Sequence, residues 1–369
     1  MKVLVTGADG FIGKNLLVRL RELEIEHISF VRGMSSGELQ AAVEQVEFVF
    51  HLAGINRPKD TAEFKDGNAG LTEQLCDAIR RSGRVLPVLY TSSIQAELDN
   101  PYGSSKREAE IALEHLAIES SAPVYIYRLP NVFGKWSRPN YNSAIATFCH
   151  NVAHDLPISI NDPSANIRLV YVDDVLDSFL SALKLRPQGF QQMQVAPEYA
   201  ITVGQLADTL RSFKERRESL VVDRVGSGLT RALYATYLSF LPPAQFSYTV
   251  PVYADPRGRF VEMLKTQDSG QMSFFTAGPG VTRGGHYHHS KNEKFLVIQG
   301  KASFKFRHIV SGEEYELFTD GAKPEIVVTV PGWSHDITNI GDNEMIVMLW
   351  ANEIFDRQRP DTVTYKVRP

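Results

Sequence analysis

The chain has 369 residues, 43% hydrophobic and 22% charged, the composition of an ordinary soluble globular protein with enough apolar mass for two cores. A net charge of -4 with no block of like charges gives no electrostatic reason for binding nucleic acid or an anionic membrane, and leaves charged small molecules as ligands. Two cysteines, Cys76 and Cys149, stand in no metal or redox spacing; with no leader before the first strand and no apolar run of bilayer length, the expectation is a cytoplasmic protein without disulfides.

Val3 to Thr6 reads as a short apolar strand that Gly7-Ala8-Asp9-Gly10-Phe11-Ile12-Gly13 turns into a helix through Leu16, Leu17 and Leu20. A G-x-x-G-x-x-G run between strand and helix brings backbone N–H groups to a pyrophosphate, so Gly7, Gly10, Phe11, Ile12 and Gly13 are candidate cofactor residues. A second strand, Ile28 to Val31, ends at Arg32, where a fold that prefers NAD carries an acid for the ribose 2′-hydroxyl; arginine favours NADP. Glu47 to Gly54 reads as the fourth strand of an alternating strand and helix pattern, hence an α/β Rossmann-like, doubly wound parallel sheet.

At this point the chain resembles the extended short-chain dehydrogenase/reductases that act on nucleotide sugars. The family's acid, three residues and His-Leu-Ala-Ala stand here as Glu47 and His51-Leu52-Ala53-Gly54, which implies that His51, Leu52 and Ala53 lie against the cofactor. Asn68 heads the next helix as the family's asparagine does, and Val85 to Tyr90 is another strand, ending in Thr91-Ser92-Ser93. Tyr102 and Lys106 form a Y-x-x-x-K at a helix start and share one helical face. A lysine ammonium beside a phenol lowers the phenol's pKa and holds the cofactor ribose, so the tyrosine can pass a proton to a carbonyl oxygen as hydride arrives. By the resemblance Ser93 steadies that oxygen, with Ser92 the alternative. Only eight residues separate Ser93 from Tyr102, where the family's loop is about three times longer.

Arg128 to Gly134 matches the family's strand and turn beside the nicotinamide, with Asn131 as a substrate contact. Arg168 to Val175 matches a later strand, with Arg168 one residue off the register of the family's diphosphate-binding arginine. The helix Val203 to Lys214, with Leu206 and Leu210 on one face, closes the substrate part. Tyr234, Tyr237 and Phe240 read as packing, and Pro242-Pro243 mark a boundary between residues 1–243 and an all-β domain of residues 246–369.

In the second domain Gly280, His286, His288, Glu293 and Gly300 have the spacing of a complete first cupin motif, and Pro331-Gly332-Trp333-Ser334-His335 with Asn339 keeps the core of the second. Side chains at i and i+2 of a strand share a face, so His286 and His288 point together into a barrel while Glu293 returns from the next strand. With His335 they suit zinc or a similar divalent metal. Asp255 to Glu262 reads D-x-R-G-x-F-x-E and Val281 to Tyr287 reads V-x-R-G-x-H-Y; both resemble the cupin epimerases of 4-keto nucleotide sugars, which implies substrate contacts at Arg257, Glu262 and Arg283. In that metal-independent family the histidine aligned with His286 is the base, and a nitrogen that ligates a metal cannot also take a proton. The base therefore stays open.

A reductase joined to an epimerase-like cupin is similar to the bifunctional CapF/WbjC family of bacterial capsule and O-antigen synthesis. The resemblance implies a UDP-2-acetamido-2,6-dideoxy-L-hexos-4-ulose substrate, epimerised at C3 and reduced at C4 with NADPH to a UDP-N-acetyl-6-deoxy-L-talosamine, by a homodimer. A 4,6-dehydratase requires an Asp-Glu pair after the catalytic hydroxyl, where this chain has Ile94-Gln95. A reductase whose cupin is a metal-stabilised structural or dimerisation module is the other reading, against which the charged D-x-R-G-x-F-x-E stretch argues.

Overall fold

The computed structural model describes residues 1–58, 60–141, 143–185 and 189–367. They form two compact units, Met1–Arg211 with Arg231–Pro242, and Ser212–Thr230 with Pro243–Pro369.

The first unit carries β1 (Lys2–Thr6), β2 (Glu26–Phe30), β3 (Phe48–His51), β4 (Val88–Ser93), β5 (Val124–Leu129), β6 (Asn131–Phe133), β7 (Asn166–Tyr171), β8 (Phe190–Met193) and β9 (Tyr199–Thr202). Six of them make a parallel sheet in the order β2-β1-β3-β4-β5-β8, and β6, β7 and β9 make a smaller one. Central strands are buried along their length because helices cover both faces. Leu39, Leu75, Ile79, Leu113 and Leu116 from three helices pack one face, against Leu4, Val49, Val88 and Ile126. On the other, Phe179 of the helix Val172–Ala182 meets the rings of Phe50 and Tyr127.

The Phe48–His51 strand is the third in the chain, not the fourth. Between β2 and β3 the chain forms the helix Ser36–Val43, started by a capping box in which Ser35 Oγ accepts from Glu38 N–H at 3.2 Å and Glu38 accepts from Ser35 N–H at 2.7 Å. The helix placed at Val203 to Lys214 runs on to Ser219, with Leu206 and Leu210 buried as expected. Tyr237 is buried in the first unit and Phe240 meets the His150 ring edge-on, which agrees with packing.

The second unit is all-β apart from its short helical pieces: β10 (Val221–Val222), β11 (Val252–Asp255), β12 (Gly258–Thr266), β13 (Gly270–Ala277), β14 (Thr282–Tyr287), β15 (Glu293–Gln299), β16 (Lys301–His308), β17 (Glu314–Asp320), β18 (Ile326–Val328), β19 (Trp333–Asn339), β20 (Met345–Ala351) and β21 (Val363–Thr364). One sheet runs β10-β12-β13-β20-β15-β18 with β11 on β12, the other β17-β16-β19-β14-β21. Phe275, Phe295, Phe304, Phe306, Ile337 and Val347 fill the core. The second unit takes in residues 212–230 as well as those from Pro243 onward, where the expectation is a first domain of residues 1–243. The reason is a backbone pairing: β10 lies parallel to β12, and Lys265 N–H donates to Leu220 O at 2.7 Å. Among the described residues no helix is long and apolar enough to cross a membrane.

Candidate active site and metal centre

At the end of β1 the Gly7 backbone, with φ of 66°, passes so close to residues 52 and 53 that a Cβ would sit 2.7 Å from Ala53 N, and one on Gly13 would sit 2.2 Å from Gly7 O. No side chain caps the helix Phe11–Glu22, so the N–H groups of Phe11, Ile12 and Gly13 are available to an anion. Leu52 and Ala53 form the opposite wall, and Ala53 N–H donates to Thr6 Oγ1 at 3.2 Å. His51, the last residue of β3, is fully buried. Its Nδ1 bonds Thr6 Oγ1 at 2.7 Å and its Nε2 bonds Thr72 Oγ1 at 2.9 Å, so the ring supports the wall from behind. Burial, with the Lys106 charge second, lowers its pKa to about 3 and keeps it neutral. Arg32 follows β2 with its side chain 84% exposed and Glu63 loosely paired at 3.9 Å, which leaves the guanidinium accessible.

Ser93 ends β4, while Tyr102 and Lys106 open the helix Pro101–Ser120, whose first turn is capped by Asn100 accepting from Gly103 N–H at 2.8 Å. The Ser93 hydroxyl lies close enough to the Tyr102 phenol to act on its pKa, and it accepts from Gln95 N–H at 3.2 Å. Ser92 faces elsewhere and donates to Glu110 Oε1 at 2.5 Å. Burial raises the Tyr102 pKa, with Ser93 opposing it. The sequence reading expected Lys106 to lower that pKa; instead its Nζ donates to Thr91 O at 3.0 Å and lies 4.9 Å from the Tyr90 ring centre. Burial pulls Lys106 itself down to about 8, against the pull of Glu110.

Glu110 and Asn68 are positioned here, and sequence reasoning gave neither a role in the site. Burial alone would raise the Glu110 pKa, but Arg128 (2.9 and 2.7 Å), Ser92 and Arg107 (2.9 Å) hold it below the usual range. The available signal was its place four residues after Lys106, on the same helix face. Asn68 accepts from Ile55 N–H at 2.9 Å and donates to Ser105 Oγ at 2.9 Å. A Cβ on Gly54, where the resemblance has alanine, would lie 2.9 Å from both Lys106 Nζ and Asn68 Oδ1. The short connection from Ser93 to Tyr102 folds as one tight turn, Ile94–Glu97, and lies so close to the helix start that a Cβ on Gly103 would sit 2.1 Å from Gln95 O. Asn131 Nδ2 donates to Arg168 O at 3.0 Å. The Arg168 guanidinium is turned onto Glu198 in a two-pronged ion pair, so the expected diphosphate contact is already matched to an acid.

In the second unit His286 on β14 stands across from His335 on β19. One ligand atom from each of His286, His288, Glu293 and His335 lies within 4.8 Å of every other. His288 Nδ1–H donates to Asp361 O at 2.5 Å, leaving Nε2 3.3 Å from Glu293 Oε2. His335 Nε2 is 3.5 Å from the same oxygen, buried and without a hydrogen-bond partner. Lys291 Nζ takes Glu293 Oε1 at 3.0 Å. Burial alone would raise the Glu293 pKa, yet the two histidines and Lys291 hold it far below the usual range. Burial, then His335, lowers His286 to about 4, so it is the neutral form that can ligate. A buried imidazole nitrogen with no partner, beside a carboxylate and two more imidazoles, fits a divalent cation. Lys291 and Asp361 were not foreseen.

Of the expected substrate contacts, Arg257 and Arg283 gather around Asp255, whose pKa Arg257 lowers to about 2. Arg257 Nη2 bonds Asp255 at 2.6 Å; Arg283 donates to Thr276 O at 3.1 Å and lies over the Phe275 ring. Glu262 pairs with Lys265 at 2.9 Å rather than with either arginine.

Residues 3–196 match the NAD dependent epimerase/dehydratase family, and residues 253–363 match the polysaccharide biosynthesis C-terminal domain. A UDP-2-acetamido-2,6-beta-L-arabino-hexul-4-ose reductase of Pseudomonas aeruginosa is 61% identical over 368 residues, covering 100% of this chain and 99% of that one. The crystal structure of the capsular polysaccharide assembling protein CapF from Staphylococcus aureus covers both chains fully at 40% identity with a TM-score of 0.91. UDP-glucose 4-epimerase from Thermotoga maritima, at 19% identity and a TM-score of 0.56 over 65% of this chain, shares the fold of part of it. The chain therefore belongs to the NAD dependent epimerase/dehydratase family, and within it to the CapF-type nucleotide-sugar reductase/epimerase enzymes that carry a polysaccharide biosynthesis C-terminal domain.

Proposed function

We propose that the chain is a bifunctional UDP-4-keto-sugar enzyme, active as a homodimer in capsule or O-antigen precursor synthesis. Its second unit, a cupin, epimerises C3 of UDP-2-acetamido-2,6-dideoxy-L-hexos-4-ulose; its first unit then reduces C4 to give UDP-N-acetyl-6-deoxy-L-talosamine. The observation that carries the reading is the placement of Ser93 close to the Tyr102 phenol with Lys106 buried on the same helix, while Gly54, next to the residues on which Gly7 closes, lies against Lys106 Nζ.

NADPH supplies the hydride. Gly7, Gly10, Phe11, Ile12 and Gly13 hold its pyrophosphate, and Arg32 takes the 2′-phosphate. As C4 gains hydride its oxygen gains charge; Ser93 donates a hydrogen bond to that oxygen and Tyr102 gives up its phenol proton to it. The raised Tyr102 pKa suits this direction, since the phenol still carries its proton at neutral pH. The Lys106 cation favours the phenolate that remains and holds the ribose. Asn131 faces the sugar.

In the second unit His286, His288, Glu293 and His335 would hold zinc, which supplies a Lewis acid that draws electron density from a ketone. Arg257 and Arg283 meet the anionic nucleotide part of the substrate. The C3 proton can leave only while C4 is a ketone, because the charge must spread onto the carbonyl oxygen, so epimerisation precedes reduction.

Incubating the protein with the UDP-4-keto sugar in D2O tests this. Without NADPH, deuterium should enter C3; with NADPH, the reduced sugar should carry that deuterium and a C4 hydrogen from the cofactor. A reduced product that keeps its original C3 hydrogen leaves a reductase whose barrel is a structural module.

A further inference from the structure

The turn that leads from His286 on β14 through His288 to the glutamate of β15 is held by one residue from far along the chain. Three successive N–H groups, of His289 (2.8 Å), Ser290 (2.7 Å) and Lys291 (2.8 Å), donate to the Asp361 carboxylate, and Ser290 Oγ adds a fourth bond at 3.0 Å. The main-chain carbonyl of the same residue accepts the His288 Nδ1–H at 2.5 Å. The chain then continues as β21, pairing Val363 with Tyr287 and Thr364 with His286; Tyr365 N–H donates to Gly285 O at 2.9 Å, and Ser334 Oγ donates to Tyr365 O. This segment therefore touches the neighbours of His286, His288 and His335 alike.

We propose that Asp361 is a positioning residue for the His/Glu group: its carbonyl fixes the tautomer and ring plane of His288, and its carboxylate fixes the turn from His288 to Glu293. The proposal rests on the metal reading above. An imidazole that donates from Nδ1 has its lone pair on Nε2, the atom that faces Glu293, so the carbonyl bond selects the ligating form before any cation arrives. A carboxylate receiving three backbone N–H groups makes charge-assisted bonds, stronger than those of a neutral acceptor. The turn also carries Lys291, so its conformation decides where that ammonium meets Glu293.

The test compares zinc affinity of the full chain and Asp361→Asn by competition with a chromophoric chelator. The amide keeps one acceptor oxygen and turns an NH2 group toward N–H donors, and affinity should fall about 10-fold to 100-fold. The visible spectrum of the cobalt-loaded variant should change, while the near-ultraviolet circular dichroism of the metal-free variant stays that of the parent. Equal zinc affinity and an unchanged cobalt spectrum would overturn the proposal. A parent that binds neither ion brings down the metal reading itself, and the proposal with it. Nitrogen-15 NMR of the metal-free parent needs no variant: His288 must be the Nδ1–H tautomer, and an Nε2–H tautomer would refute the assignment even if Asp361→Asn fails to fold.

Discussion

Both units bury a lysine beside a glutamate, and the two pairs do different things. In the first, Lys106 spends its charge on the Thr91 carbonyl while Glu110, one helical turn on, is saturated by Ser92, Arg128 and Arg107. In that network each charged side chain has a partner of its own. In the second, Lys291 neutralises one oxygen of Glu293, and His288 and His335 converge on the other at 3.3 and 3.5 Å, too long and too many for two ordinary hydrogen bonds. The same two residue types thus build a fully paired network in one place and a half-neutralised carboxylate among imidazoles in the other.

The difference is sharpest under substitution of the groups each frame serves. Tyr102→Phe should lower NADPH oxidation on the keto sugar by about 10²-fold to 10⁴-fold with C3 deuterium exchange intact, and NADPH binding measured by fluorescence should persist. A parental oxidation rate would remove Tyr102 from the chemistry. His288→Gln should do the converse, weakening zinc binding by at least about 100-fold and destabilising the barrel while reduction of an already epimerised ketone continues. If its zinc content, read by atomic absorption, equals the parent's, His288 is no ligand. Arg32→Asp should shift the NADPH to NADH ratio of kcat/KM by about 10-fold or more, as expected for a lost charge-assisted contact; an unchanged ratio refutes the 2′-phosphate assignment.

Acidity gives a gentler probe. Lys106 is lowered to about 8, so its cation is complete below that pH and lost as pH rises through it. The kcat/KM for reduction should therefore decline on the alkaline side of about 8, and C3 exchange should not share that limb. The smallest effect is expected from Gly54→Ala, whose methyl group would meet Lys106 Nζ at 2.9 Å. The ammonium can shift, so reduction should slow about fivefold, equivalent to about 1 kcal/mol of crowding, with exchange untouched.

What could be read from the sequence was what rests on local spacing. The glycine turn, Tyr102 with Lys106, and His286 with His288 each span only a few residues, so local spacing is enough to single them out. Strand alternation makes Ser92 and Ser93 ambiguous by one, and long-range contacts distinguish them: Ser92 donates to Glu110, while Ser93 lies close to Tyr102. His51 lies in a strand whose four residues are all buried, so the pattern could not tell a wall from its backing. The arginines were legible as charges but not as pairs: Glu198 answers Arg168 from 30 residues away and Asp255 answers Arg257 from two. Residues 212–230 went to the other unit because a two-residue strand carries no signal above that of a loop.

The distance of Asp361 from the group it braces also bears on how the protein is made. It emerges from the ribosome 73 residues after His288 and later than all four candidate ligands, so the nascent barrel holds its histidines before it holds their brace. A cation captured at that stage would meet a His288 free to choose either tautomer. Final selectivity would then be set by a late, long-range closure, after synthesis has passed residue 361.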